Sequence, residues 1–287
     1  MSTAPPESTD QCPNGLPILV RNLSVDKGQD DDASDTFLVD NLVTIDGSDL
    51  TENSLKSCHI LNPRQETRDP RVMFFDLDNT LYPISTGIAQ EMGRRIELFF
   101  QEYLHLPGAD AATLGCKFYL DYGLAIKGLI KHFAINPQDY DEFVDGGLQL
   151  EKVLRPNKKL KHMLSRIRAR KWIFTNAGLQ HSLRVLQLLG IQDQFEGIIY
   201  CDYCEPDFPA KPDRLAYERA MRCAGVDPEH SYFIDDGVNN VRTAVELGWH
   251  AILVDEMGEF STTLAPGIRC IANVGELESV LGELFKR

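Results

Sequence analysis

The sequence predicts an α/β fold, a doubly wound parallel sheet with an inserted helical cap, on three observations. Short apolar runs end abruptly in carboxylates or hydroxyls, as buried parallel strands do at their C-terminal edge. Helical periodicities alternate with those runs. One connection, 83–170, is too long for a single crossover helix and breaks the alternation.

Residues 1–68 hold twelve Asp/Glu against five Lys/Arg, a net of −7 and half of the chain's −14. They mix Pro, Ser, Asp, Asn and Gln with short apolar islands and keep no period. This reads as an acidic disordered tail, with a docking or regulatory segment for an unidentified protein partner as the other reading. From Val72 the run VMFFDLD gives the first strand, and the α/β core is expected over 69–82 and 169–287. Residues 83–168 are expected to form the cap, with helical periodicity at 88–104, 122–133, 137–144 and 157–167, the last returning to the sheet as the crossover. KWIFTN (171–176), GIIYCD (197–202), SYFIDD (231–236) and WHAILV (249–254) continue the sheet. Helical patterns that close on glycine join them at 179–190, 212–225 and 239–248. The segment 275–287, GELESVLGELFKR, reads as a final amphipathic helix.

Composition narrows the function classes. At 287 residues with 43% hydrophobic and 25% charged residues, the chain can bury a large core, which argues against wholesale disorder. The net charge of −14 argues against a nucleic-acid polymer or an anionic membrane as partner, because both need a basic face. No apolar run approaches a membrane span, and the first residues lack the pattern of a signal or transit peptide. Seven scattered cysteines fit reduced thiols, so the expected location is the cytoplasm, with the nucleus open.

Open α/β sheets bind ligands beyond the carboxyl ends of their strands. The residues there are Asp76, Asp78 and Thr80, then Thr175 and Asn176, then Asp235 and Asp236, with Lys211 in what reads as an exposed turn after a fourth strand. Asp76 and Asp78, at i and i+2, point to one face of a strand. Four carboxylates in one crevice repel unless a cation sits among them, and hard oxygen ligands without His or Cys select Mg²⁺. Asp76, Asp78, Asp235 and Asp236 are therefore the expected metal ligands. Such a cluster with Lys211 suits a phosphate, held by Thr175, Asn176 and Lys211. Asp76 is then the nucleophile that becomes an aspartyl phosphate, and Asp78 the acid and base on either side of it.

In this order and spacing FFDLDNTLY, IFTNAG, AKPDRLAYERA and FIDDGVNN resemble the four motifs of the haloacid dehalogenase (HAD) superfamily, which implies a Rossmann-like core and those same roles. Over roughly 70–287 the chain further resembles the fungal pyrimidine 5′-nucleotidase group, through DNTLYPISTGI, YGLAIKGLIKHFAINPQDYDEFVD, LQLEKVLRPN and FTNAGLQHSLRVLQLLGIQDQFEGIIYCDY. That likeness implies Mg²⁺-dependent hydrolysis of UMP- or CMP-like nucleoside monophosphates. It departs from the pattern at Gly237 and Asn240, where the fourth motif usually keeps Ser and often an acid, and at Gly178.

Other readings stay open. Another small phosphorylated metabolite, such as a sugar phosphate, phosphoglycolate or lysophosphatidate, would use the same core. A weakly active scaffold that binds a partner through its tail would need none of it. The cap must supply specificity, and its candidates are Tyr119, Tyr122, Lys127, Lys131 and His132, the other reading being that both tyrosines pack the cap interior and both lysines are solvated. His162 and His181 read as surface or packing residues of helices. Cys201 and Cys204 have redox spacing without a second pair, and read as unpaired thiols.

Overall fold

The computed structural model describes residues 57–62, 69–260 and 264–286. Its sheet has seven strands: β1 (Cys58–Ile60), β2 (Val72–Phe75), β3 (Arg170–Phe174), β4 (Gly197–Ile199), β5 (Ser231–Asp235), β6 (His250–Val254) and β7 (Arg269–Ile271). They lie in the order β1-β4-β3-β2-β5-β6-β7, parallel throughout except β1. The chain runs outward in one direction from β2 to β3 and β4, and in the other through β5, β6 and β7. The ends of β2 and β5 therefore flank the point where strand order reverses.

β2 is buried on both faces and its side chains alternate. Met73 and Phe75 pack with Ile173, Ile198 and Ile234 against α7 (Leu179–Leu189). Val72 and Phe74 pack with Trp172, Phe174, Phe233 and Trp249 against α8 (Arg214–Ala224) and α9 (Val238–Glu246). The left-handed Gly190 and Gly225 end α7 and α8, and each returns its N–H to the last turn.

The insertion opens with α1 (Ile88–Leu104), α2 (Gly108–Tyr122), α3 (Ala125–His132) and α4 (Pro137–Val144), which share a core built on Phe99, Phe100, Phe118, Leu129 and Tyr140. That core also takes in Cys201, Phe208 and Ala210 from the segment after β4, so the cap sits over the strand ends. Leu150 of α5 (Leu150–Val153) and Leu160 and Leu164 of α6 (Lys158–Arg166) pack into the β2–β3 core instead. The self-packed cap thus ends near Val144, a tighter boundary than the expected 83–168.

Two further expectations change. Residues 58–60, assigned to a structureless tail, form edge strand β1 against β4, and Asn62 donates to the Phe195 carbonyl at 2.7 Å. Three residues are too few to display a two-residue period. The pairing depends on Gly197, where a Cβ would lie 2.8 Å from the His59 carbonyl oxygen and 2.5 Å from the Trp172 ring. The rest of that segment, 1–56 and 63–68, lies outside the described residues. The expected final helix is instead α10 (Leu277–Val280) between two 3-10 turns, Val274–Glu276 and Gly282–Leu284. Leu277, Leu281, Leu284 and Phe285, at i, i+4, i+7 and i+8, are all buried, so the apolar face the sequence shows is kept although the helix is interrupted.

Candidate active site

The crevice lies where β2, β3 and β5 end. Asp76 follows β2 directly and donates its N–H to the Ile234 carbonyl at 2.8 Å, which fixes it beside the end of β5. Lys211 is buried, contrary to the exposed-turn expectation: its side chain is 1% accessible. Its ammonium reaches Asp76 Oδ1 at 2.7 Å, Asp235 Oδ2 at 2.6 Å and the Phe174 carbonyl at 2.8 Å, with the Phe174 and Phe233 rings 5.2 and 5.3 Å away. Such burial would by itself favour the neutral amine, but Asp235 and Asp76 hold the ammonium charged and raise its pKa.

Three expected ligands make hydrogen bonds within the protein. Asp235 is fully buried and satisfied: Oδ2 takes Lys211, and Oδ1 takes the Gly237 N–H at 2.7 Å and Asn240 Nδ2 at 2.9 Å. A Cβ at Gly237 would lie 2.6 Å from Asn240 Nδ2, so the absent serine makes room for this clamp. Asn176, expected on phosphate, closes a two-way bond to the Lys211 backbone, accepting from its N–H and donating to its carbonyl, both at 2.8 Å. The Asp78 carboxylate is engaged through Oδ1 by the Tyr82 hydroxyl and by His181 Nε2, the latter at 2.7 Å. The His181 bond ties Asp78 to the first turn of α7. Thr175 is buried at the end of β3, its hydroxyl accepting the Ala177 N–H at 3.1 Å.

A divalent cation fits what remains. Burial, then the charges of Asp76 and Asp235, push Asp236 well above the usual carboxylate range. Burial likewise pushes Asp76 up to about 7, against the pull of Lys211 and with Asp235 and Asp78 repelling it. Asn79 Oδ1 and Thr80 Oγ1 are buried there without partners. Among the described residues no three acid, His or Cys side chains converge as a self-sufficient cage. Mg²⁺ needs no such cage, being held by one or two carboxylates with water and phosphate oxygens, and Asp76 and Asp236 provide the two.

His181 is the residue the sequence reading misplaced. It sits in the first turn of α7, six residues after Thr175, and is buried against Asp78, a contact the surface-or-packing reading did not include. Its place on the helix that leaves the β3 end was the available signal. Although burial opposes its charge, Asp78 and Asp145 lift His181 to about 9. On the same balance Asp78, which burial would raise, is held below the usual range by His181 and Tyr82.

Behind His181, Asp145 at the end of α4 is 5% exposed and its Oδ2 has no partner. Burial, partly offset by His181 and reinforced by Asp141, pushes its carboxyl up to about 7. The fold therefore favours the protonated form, and ionisation costs stability as pH rises from about 4 through 7. Asp145→Asn is expected to match the parent near pH 4 and to be more stable at pH 8 by about 1–3 kcal/mol, read from urea unfolding at both values.

The cap candidates separate. Tyr122 bonds His132 at 2.7 Å and carries the Lys131 ammonium over its ring at 5.2 Å, a cluster within the cap. Lys127 lies over Phe208 at 5.3 Å. Tyr119 is 43% exposed, and burial followed by the charges of Asp236 and Asp235 raises its phenol. Cys201 is buried and Cys204 exposed; these and Cys58, Cys223 and Cys270 are free thiols. Among the described residues no helix is long and apolar enough to cross a membrane.

Comparison with known proteins agrees with this geometry. The model of the haloacid dehalogenase-like hydrolases matches residues 70–248. The chain belongs to that family. Phosphate metabolism protein 8 of Saccharomyces cerevisiae is 37% identical over 200 residues, 65% of this chain and 62% of the yeast protein, so the match leaves more than a third of that relative uncovered. Among solved structures, a HAD phosphatase from Thermococcus onnurineus aligns with a TM-score of 0.51 at 18% identity, over 74% of this chain and 98% of that one. The HAD-hydrolase YfnB of Bacillus subtilis, bound to magnesium, aligns with a TM-score of 0.50 at 16% identity, over 75% and 100%. At these identities the two structures show a shared fold.

Proposed function

We propose that the protein is a Mg²⁺-dependent phosphomonoesterase of the cytoplasm, acting on small phosphorylated metabolites and foremost on pyrimidine nucleoside 5′-monophosphates. One observation carries the chemistry: Asp76 is held by the buried Lys211 at 2.7 Å, with Asp78 two residues on and engaged through only one oxygen. The resemblance over 70–287 supports the pyrimidine substrate, and Tyr119, 43% exposed on the cap, is a candidate stacking face.

Lys211 and the Thr175 hydroxyl draw the phosphoryl oxygens to Asp76. An Asp76 carboxylate oxygen bonds to phosphorus as the bond from phosphorus to the ester oxygen breaks, and Asp78, acting in the minor fraction of molecules in which it carries a proton against the pull of His181, gives that proton to the ester oxygen so that the nucleoside leaves as an alcohol. Asp78, now ionised, takes a proton from water, whose oxygen attacks the same phosphorus. The bond to Asp76 breaks, freeing its carboxylate and inorganic phosphate. Bound between Asp76 and Asp236, Mg²⁺ would neutralise charge that otherwise repels the phosphate dianion. The cap sheds water from the aspartyl phosphate and limits the crevice to small substrates.

A panel of UMP, CMP, purine, sugar and lipid phosphates, assayed for phosphate release with Mg²⁺ and with chelator, tests this. Release should be fastest with UMP or CMP and lost in chelator. Faster turnover of a purine, sugar or lipid phosphate overturns the pyrimidine assignment, and no release from any member overturns the enzyme.

A further inference from the structure

We propose that His181 is a positioning residue for the leaving-group step, locking the Asp78 carboxylate so that Oδ2 alone faces the ester oxygen. The inference rests on the phosphomonoesterase reading and deepens it. Both protein donors to Asp78, His181 Nε2 and the Tyr82 hydroxyl, converge on Oδ1, and Oδ2 takes no hydrogen bond among the described residues. One oxygen is thereby anchored and the other left for chemistry. The anchor is itself immobile: the His181 side chain is 0% accessible, on the first turn of α7, whose next residue Ser182 bonds the Gly178 carbonyl at 2.8 Å. Packing alone does not account for an imidazole there, because its Nδ1 is buried without a partner, a desolvation cost that an apolar side chain would avoid. What the imidazole adds is the bond to Asp78. A carboxyl group donating its proton loses its advantage when its oxygen drifts by about 1 Å, so the anchor matters most where the leaving group needs a proton.

The test compares kcat/KM for an alkyl ester, UMP or the best alkyl substrate of the panel, with p-nitrophenyl phosphate, whose leaving group departs without protonation. His181→Ala should lose about 10²-fold on the alkyl ester and no more than about threefold on the aryl ester. His181→Gln, whose amide can donate from the Nε2 position, should recover at least about tenfold of the alkyl loss. Aryl turnover doubles as the folding control. If His181→Ala does not fold, His181→Asn, with an amide too short for the Nε2 position, carries the same comparison. Equal losses on both esters, or no alkyl loss, overturn the positioning role. Asp78→Asn separates the failures. If it too fails to discriminate between the esters, the assignment of Asp78 as acid falls and His181's role with it; if it discriminates and His181→Ala does not, only the present inference falls.

Discussion

Asp76→Asn should lower phosphate release by at least about 10³-fold while leaving the fold intact. The amide keeps the shape of the side chain but neither its charge nor its nucleophilicity. It also removes one carboxylate from a buried set in which Asp235, Asp78 and Asp236 repel one another. Lys211 retains Asp235 at 2.6 Å, so no buried cation is orphaned. In chelator-containing buffer the variant is therefore expected to unfold at or above the parent temperature, because without metal the repulsion is at its largest. Asp76→Glu should be nearly as inactive, because one added methylene displaces the attacking oxygen by about 1 Å or more. Substantial activity in Asp76→Asn would remove the nucleophile from the mechanism, and full activity in Asp76→Glu would show that its placement is not critical.

How far the site could be read in advance follows from what each residue depends on. Asp76, Asp78, Thr175 and Asp235 end apolar strands, and strand ends are local signals, so parallel pairing was enough to bring them together. The duties of Asp235 and Asn176 were not local. They are set by where Lys211 enters, and its burial depends on the Phe174 and Phe233 rings closing over it from two different strands. His181 reaches an acid 103 residues earlier in the chain, a contact made by the docking of α7 beside β2 and invisible to helical periodicity. β1 was missed for the opposite reason: it is so short that only its partner strand reveals it.

Lys211→Met separates the structural from the chemical share of the buried ion pairs. Removing the ammonium leaves Asp76, Asp235 and the Phe174 carbonyl facing one another without a donor. Breaking a buried pair from one side costs about 3–5 kcal/mol, and urea unfolding at pH 8 should register a loss of that order, with activity down at least about 10²-fold. The sign of the pH dependence follows from the carboxylates. Without Lys211 the Asp76 carboxyl rises further in the folded state, so its share of the penalty is complete above that value and shrinks as pH falls and it takes up a proton. The difference between Lys211→Met and the parent should therefore narrow at pH 5. Adding Asp235→Asn to Lys211→Met removes the second uncompensated charge, keeps acceptors for Gly237 and Asn240, and should restore most of the stability at pH 8. Activity should not return with it, because the phosphate still lacks its cation. Recovery of both together would mean that Lys211 acts only through the fold, and recovery of neither would mean that Asp235 does more than hold Lys211.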